Sequence, residues 1–175
     1  MVLYRRNLVT GGTVFFTVVL ADRQSTRLTT HVDRLKSAFR KARAERPFVI
    51  DAIVVLPEHL HAIWTLPPGD ADFAHRWRRM KGDVTQSLLR IGTVLAPRND
   101  GTYAPWQRRF WEHTIRDDAD YARHVDYIHY NPVKHGYVLS PTAWRHSSIH
   151  AFIGKGIVAD DWGGHDSPDI SAGEP

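Results

Sequence analysis

Two hydrophobic rhythms alternate along this chain. Thr13 to Leu20 reads Thr-Val-Phe-Phe-Thr-Val-Val-Leu, β-branched and aromatic, and predicts a buried strand. Next comes a helix, opened by Ser25 or Thr26 and running to about Ala44, with Leu28, Val32, Leu35 and Phe39 at helical spacing. Phe48 to Leu56 predicts a second strand, which Pro57-Glu58 breaks. His59 to Leu66 predicts a third, paired with the second as a hairpin. Pro67-Pro68-Gly69 stops it, and Asp72 to Ile91 predicts a second amphipathic helix. Gly92 to Pro105 is loop-like, and a fourth strand is expected around Phe110 to Ile115. Asp117 to Tyr130 predicts a third helix, with Asp117, Asp118 and Asp120 in its first turn, where the helix dipole favours acids. Pro132 is expected to end it.

The order β-α-β-β-α-β followed by a helix is the ferredoxin-like, split βαβ arrangement, an α+β fold with an antiparallel sheet. Helices on one face would leave the other free for a ligand. A domain is expected over residues 1–153. Residues 154–175 are rich in Gly, Asp and Pro and predict a flexible acidic tail.

A chain of 175 residues with 42% apolar content can bury a real core as one domain. The absence of cysteine excludes a disulfide scaffold, a thiolate zinc site and a cysteine nucleophile. No apolar run approaches the ~18–20 residues of a membrane span, and the N-terminus lacks a signal-peptide pattern. A cytoplasmic protein is expected. The net charge is +4, but its distribution says more. From Gly156 onward there are five acids and no base, so residues 1–155 carry +9. A basic body suits an anionic partner.

Chemistry concentrates in three places. His59 and His61 alternate on a strand with Leu60, so both imidazoles point one way and Leu60 the other. Two neutral imidazoles side by side suit a divalent metal, although a strand face can also hold two solvated histidines. Tyr127 and Asn131 lie one helical turn apart. A tyrosine hydroxyl can attack phosphorus, and Asn131 offers a carbonyl oxygen as a third ligand. Alternatively, Tyr127 packs on the sheet and Asn131 caps the helix, because Pro132 disfavours α geometry before it. Third, Arg76, Arg78, Arg79 and Lys81 flank Trp77, and Arg108 and Arg109 sit between Trp106 and Phe110-Trp111. These are phosphate-binding candidates beside stacking surfaces, or a solvated helix face around a core tryptophan.

His59-Leu60-His61 followed by Tyr127 on a helix resembles the HUH single-tyrosine endonuclease pattern. More specifically, Tyr4-Arg5-Arg6, Gly11-Gly12-Thr13-Val14-Phe15-Phe16-Thr17-Val18, Leu56-Pro57-Glu58-His59-Leu60-His61, Phe110-Trp111-Glu112-His113 and Tyr127-Ile128-His129-Tyr130-Asn131-Pro132-Val133-Lys134-His135-Gly136 resemble the REP-associated tyrosine transposases. These belong to the IS200-like, single-tyrosine superfamily. The resemblance covers roughly residues 1–150. It implies the HUH endonuclease fold with a C-terminal nucleophile-bearing helix. It implies one Mg²⁺ or Mn²⁺ on His59, His61 and Asn131, where mobile relatives often have Gln at the last position. It makes Tyr127 the nucleophile, with Tyr130 its nearest competitor. The implied partner is single-stranded DNA, especially imperfect palindromic hairpins, met by a nucleoid-associated monomer or homodimer. Tyr4, Arg5, Arg6, Arg34, Lys36, Arg40, Arg76, Arg78, Arg79, Arg108 and Arg109 are the candidate DNA contacts. His129 and His135 are expected in supporting or surface roles.

Three rivals stand beside this reading. A hairpin-binding regulator would keep the fold without cutting. A metal-independent two-histidine phosphoesterase needs two His-x-Ser/Thr motifs, and only His146-Ser147-Ser148 fits. An RNA-binding ferredoxin-like domain would show an aromatic-rich motif on a central strand, and none is evident. The charge asymmetry generates its own test. If Asp160 to Glu174 competes with DNA for the basic surface, deleting residues 156–175 should tighten DNA binding, most at low salt. Fluorescence anisotropy across a salt series checks it.

Overall fold

The structure, a computed structural model, describes residues 8–97, 101 and 103–164. Tyr4, Arg5 and Arg6 and residues 165–175 lie outside them. Four strands form one antiparallel sheet: β1 (Thr13–Val19), β2 (Val49–Val55), β3 (His59–Thr65) and β4 (Trp111–Thr114). Their order is β2-β3-β1-β4, the ferredoxin-like order expected from the sequence. The β2–β3 hairpin closes with the Leu56 N–H donating to the His59 carbonyl at 2.9 Å. β3 is therefore an inner strand, paired with β1 as well as β2.

Side-chain alternation sorts the inner strands into two layers. Val14, Phe16, Val18, Leu60, Ala62 and Trp64 enter a core under α2 (Val32–Glu45) and α3 (Phe73–Arg90). Trp64 stacks on Trp77 of α3 with centroids 4.2 Å apart. Phe15, Ala52, Val54 and Ile63 enter a second core with Val125, Tyr127 and Ile128 of α4 (Asp118–Lys134). The second sheet face, expected to be free, is thus covered by α4. This explains why β1 reads as a continuous apolar run: neither of its faces meets water.

Helix boundaries differ from expectation at two places. The first predicted helix is split into α1 (Arg27–Thr30) and α2, with His31 between them at φ −115° and ψ 33°. The Thr29 hydroxyl donates to the Thr26 carbonyl at 3.1 Å, the local competition that makes threonines weak helix formers. The second difference matters more. Pro132 does not end α4 but lies inside it. A proline removes one N–H from the ladder, and burial of Ile128, Asn131 and Pro132 against the body offsets that loss. The terminator is Gly136 at φ +72°. Its N–H donates to the Val133 carbonyl at 2.9 Å, and the Tyr137 N–H donates to the Pro132 carbonyl at 3.0 Å. That pair is the Schellman closure, and it needs a left-handed residue.

After α4 come a 3₁₀ turn (Pro141–Ala143) and α5 (Ile149–Gly154). The strip between them closes the β2 edge: the Val55 N–H donates to the His146 carbonyl, and the Ser148 N–H to the Ile53 carbonyl. His146 and Ser147-Ser148 thus do edge-covering work. Part of the segment expected to hang free is in contact with the body, because Trp162 meets His129 and Tyr130 edge-on at 6.1 and 6.5 Å. No helix among the described residues is long and apolar enough to cross a membrane.

Arg76, a candidate DNA contact, points into the fold and is 2% exposed. Its guanidinium donates to Asp70 Oδ2 at 2.7 Å, to the Asp72 and Pro47 carbonyls at 2.9 Å, and to the Arg46 carbonyl at 3.2 Å. It ties the α2–β2 connection to the approach to α3 with four of its five N–H donors, and its burial keeps it from any phosphate outside. Arg76→Ala should lower the free energy of unfolding in urea by about 3–5 kcal/mol, the cost of breaking a buried hydrogen-bonded ion pair.

Candidate active site

The two imidazoles of β3 emerge under α4, as strand alternation requires. Their centroids are 4.9 Å apart, and His59 and His61 are 2% and 0% exposed. Each is held through its Nδ1. His59 Nδ1 donates to Glu58 Oε1 at 2.8 Å, since a carboxylate can only accept. His61 Nδ1 lies 2.9 Å from the Thr17 hydroxyl of β1. This is the orienting pattern of metal-binding histidines, which leaves Nε2 as the ligand atom. His61 Nε2 is buried and has no hydrogen-bond partner among the described residues. Burial first, then the positive charge of His59 and His135, lowers the His61 pKa well below the usual histidine value, so its lone pair is free near neutrality.

α4 supplies the other half. The Tyr127 ring meets His61 edge-on at 5.1 Å, and His135, eight residues on, approaches His59 at 5.1 Å. Asn131 lies midway on the same helical stripe. It is 0% exposed, and neither its Oδ1 nor its Nδ2 has a partner among the described residues. A buried, orphaned amide and an orphaned imidazole nitrogen cost on the order of 1–3 kcal/mol per group unless a further ligand satisfies them. The donor set, two imidazoles and a carbonyl oxygen, fits a divalent cation. Asn131 sits within the helix, not at its end as expected.

Four residues near this pocket had no assigned role in the sequence reading. Glu58 is buried and also receives the Tyr137 hydroxyl at 3.4 Å and faces Arg23 at 3.8 Å. Lys134 donates from Nζ to Tyr127 Oη at 3.3 Å. The adjacency of Glu58 to His59 was the available signal for the first. For Lys134 there was none once the helix was expected to stop at Pro132.

No family model matches the chain. The REP-associated tyrosine transposase of Escherichia coli strain K12 is 48% identical over 171 residues, spanning 98% of this chain and 96% of the relative. A Haemophilus influenzae relative named for the same family is 42% identical over 170 residues, spanning 95% of each chain. The chain belongs to the REP-associated tyrosine transposases. A solved structure of such a transposase bound to a REP hairpin superposes with a TM-score of 0.85 at 47% identity, covering 100% of this chain and 98% of that one.

Tyr127 meets His61 beside His59, and Asn131 lies one turn further along the same face of α4; the candidate DNA-binding cations lie elsewhere. Arg34, Lys36, Arg40, Arg78 and Arg79 ride on α2 and α3, across the sheet from the histidines. Arg79 is engaged by Glu45 at 2.9 and 3.1 Å. Arg108 and Arg109 are exposed just before β4. Tyr130 lies on another stripe of α4, against Trp162. His129 is buried 3.0 Å from the Ser148 hydroxyl, and burial with the nearby charge of His150 pushes it down to about 4.

The start of α4 is fixed by a second cluster, in which His113, Asp120 and His124 bring ligand-type atoms within 4.8 Å of one another. These atoms are committed to one another. His113 Nε2 donates to Asp120 Oδ2 at 2.8 Å, Arg116 adds its backbone and side-chain N–H, and Arg123 approaches at 3.5 Å. Two guanidiniums beside Asp120 oppose a cation, so the cluster reads as a clamp between β4 and α4. Burial would raise the Asp120 pKa, but the His113 and Arg116 hydrogen bonds outweigh it and hold the carboxyl well below the usual range. A depressed aspartate contributes stability that is complete above its unfolded value and lost as pH falls through the folded one. Asp120→Asn should therefore cost about 2–4 kcal/mol in urea unfolding at pH 7, a deficit that shrinks below about pH 4.

Proposed function

We propose that this chain binds imperfect palindromic DNA hairpins of the REP type and cuts and rejoins a single strand beside them through a covalent phosphotyrosine on Tyr127. One observation carries the reading: Tyr127 sits against His61, and His61 Nε2 and both side-chain atoms of Asn131, one turn along the same helix face, are buried without partners among the described residues. A tyrosine beside a set of metal-type donors is what nucleophilic attack on a phosphodiester needs. The hairpin-bound relative, at 47% identity, supports the choice of partner.

His59, His61 and Asn131 would hold one Mg²⁺ or Mn²⁺, which supplies positive charge against the oxygens of the scissile phosphate. Glu58 and Thr17 orient the two imidazoles. Tyr127 Oη attacks phosphorus, a 3′ oxygen departs, and a 5′-phosphotyrosine remains. The bond keeps the phosphodiester's energy, so a second 3′-hydroxyl can reverse the step and transfer the strand. Tyr127 and His61 approach within one chain, which supports a site complete in one subunit of a monomer or homodimer.

A regulator that binds hairpins without cutting is the alternative, and the 1% exposure of Tyr127 is the observation that favours it. Incubation of a hairpin oligonucleotide carrying single-stranded flanks with the protein and Mn²⁺, followed by a denaturing gel, separates the two. A covalent species is expected from the wild type and from Tyr130→Phe and none from Tyr127→Phe, while hairpin affinity stays within about threefold. Failure of every hairpin tried to give a covalent species would leave the regulator.

A further inference from the structure

We infer that Lys134 is a catalytic residue of this transposase: its ammonium holds the Tyr127 phenolic oxygen and stabilises the charge on that oxygen as it enters and leaves phosphorus. The inference rests on the reading of Tyr127 as the nucleophile. Lys134 Nζ lies 3.3 Å from Tyr127 Oη and 4.6 Å from the centre of the Tyr127 ring. It touches the reacting atom itself.

The placement follows from how α4 ends. Lys134 is seven residues from Tyr127, two helical turns along one face, and reaches it only because the helix runs through Pro132. A lysine in the last turn ordinarily serves the helix C-terminus, whose carbonyls carry partial negative charge. Here the Schellman closure at Gly136 already occupies the Pro132 and Val133 carbonyls, and the Lys134 ammonium lies over the Tyr127 ring instead. The ammonium meets the tyrosine from the solvent side: Lys134 is exposed and Tyr127 is buried.

The chemistry needs a cation at this atom. In the forward step the Oη–P bond forms and the P–O3′ bond breaks. The phenolic proton leaves to solvent, and the departing 3′ oxygen takes one up, giving a 3′-hydroxyl. In the reverse step a 3′-hydroxyl attacks, the Oη–P bond breaks, and the phenolate leaves against the same ammonium. Lys134 stays protonated throughout, so its contribution is electrostatic and acts in both directions. His59, His61 and Asn131 would hold the cation, and Lys134 serves the Tyr127 oxygen.

The test separates chemistry from binding. With saturating Mn²⁺ and hairpin oligonucleotide, the single-turnover rate of covalent adduct formation is compared for the wild type, Lys134→Gln, Lys134→Arg and Lys134→Ala, beside hairpin affinity by anisotropy. Lys134→Gln should slow adduct formation, and release of the adduct by a 3′-hydroxyl strand, by about 10²-fold, with affinity changed less than about threefold. Lys134→Arg should recover most of the rate, and ethylammonium should partly rescue Lys134→Ala. A Lys134→Gln rate within threefold of wild type, or a defect confined to affinity, overturns the inference while leaving Tyr127 as nucleophile. An adduct that persists in Tyr127→Phe, or no adduct from the wild type, overturns both.

Discussion

Everything at the site depends on β3 being covered on both faces. An inner strand with period-two alternation must send Leu60, Ala62 and Trp64 one way and His59, His61 and Ile63 the other. The first set is satisfied by α2 and α3. The second would expose Ile63 and two imidazoles to water unless something covered them, and α4 does so with Val125, Tyr127 and Ile128. The packing that completes the fold is therefore the packing that brings a tyrosine to a histidine pair.

Such a pocket carries a cost. The Asn131 amide and His61 Nε2 are buried polar groups without partners among the described residues. An apolar filling at the same positions would be more stable. Stability is recovered around the rim, where several interactions fix α4: the Asp117 cap, the His113–Asp120–His124 clamp and the Gly136 closure. Rigid ends with an unsatisfied middle suit a site that must hold geometry for a ligand supplied from outside.

The basic helices α2 and α3 lie across the sheet from this pocket. Cations close to the candidate nucleophile come instead from Lys134 and, beyond Glu58, from Arg23. Charge read along the chain thus located a basic body but not which of its surfaces faces the chemistry. Arg76 shows the extreme case: a residue inside the motif Arg-Trp-Arg-Arg that serves as an internal tie, because helical phase turns it inward beside Trp77.

By itself the sequence determined the strands, their α+β order and the pairing of His59 with His61 on one face, because these follow from local periodicity. It also determined the family, through motifs quoted residue by residue. It did not determine that α4 passes through Pro132. A local rule opposes that path, and only burial of Ile128, Asn131 and Pro132 against the sheet overrules it. Nor did it determine that the second sheet face is filled, or that Lys134 returns to Tyr127. The first two follow from how layers pack and the third from the unbroken helix that packing allows, because the free energy of burial exceeds the cost of one missing helix hydrogen bond.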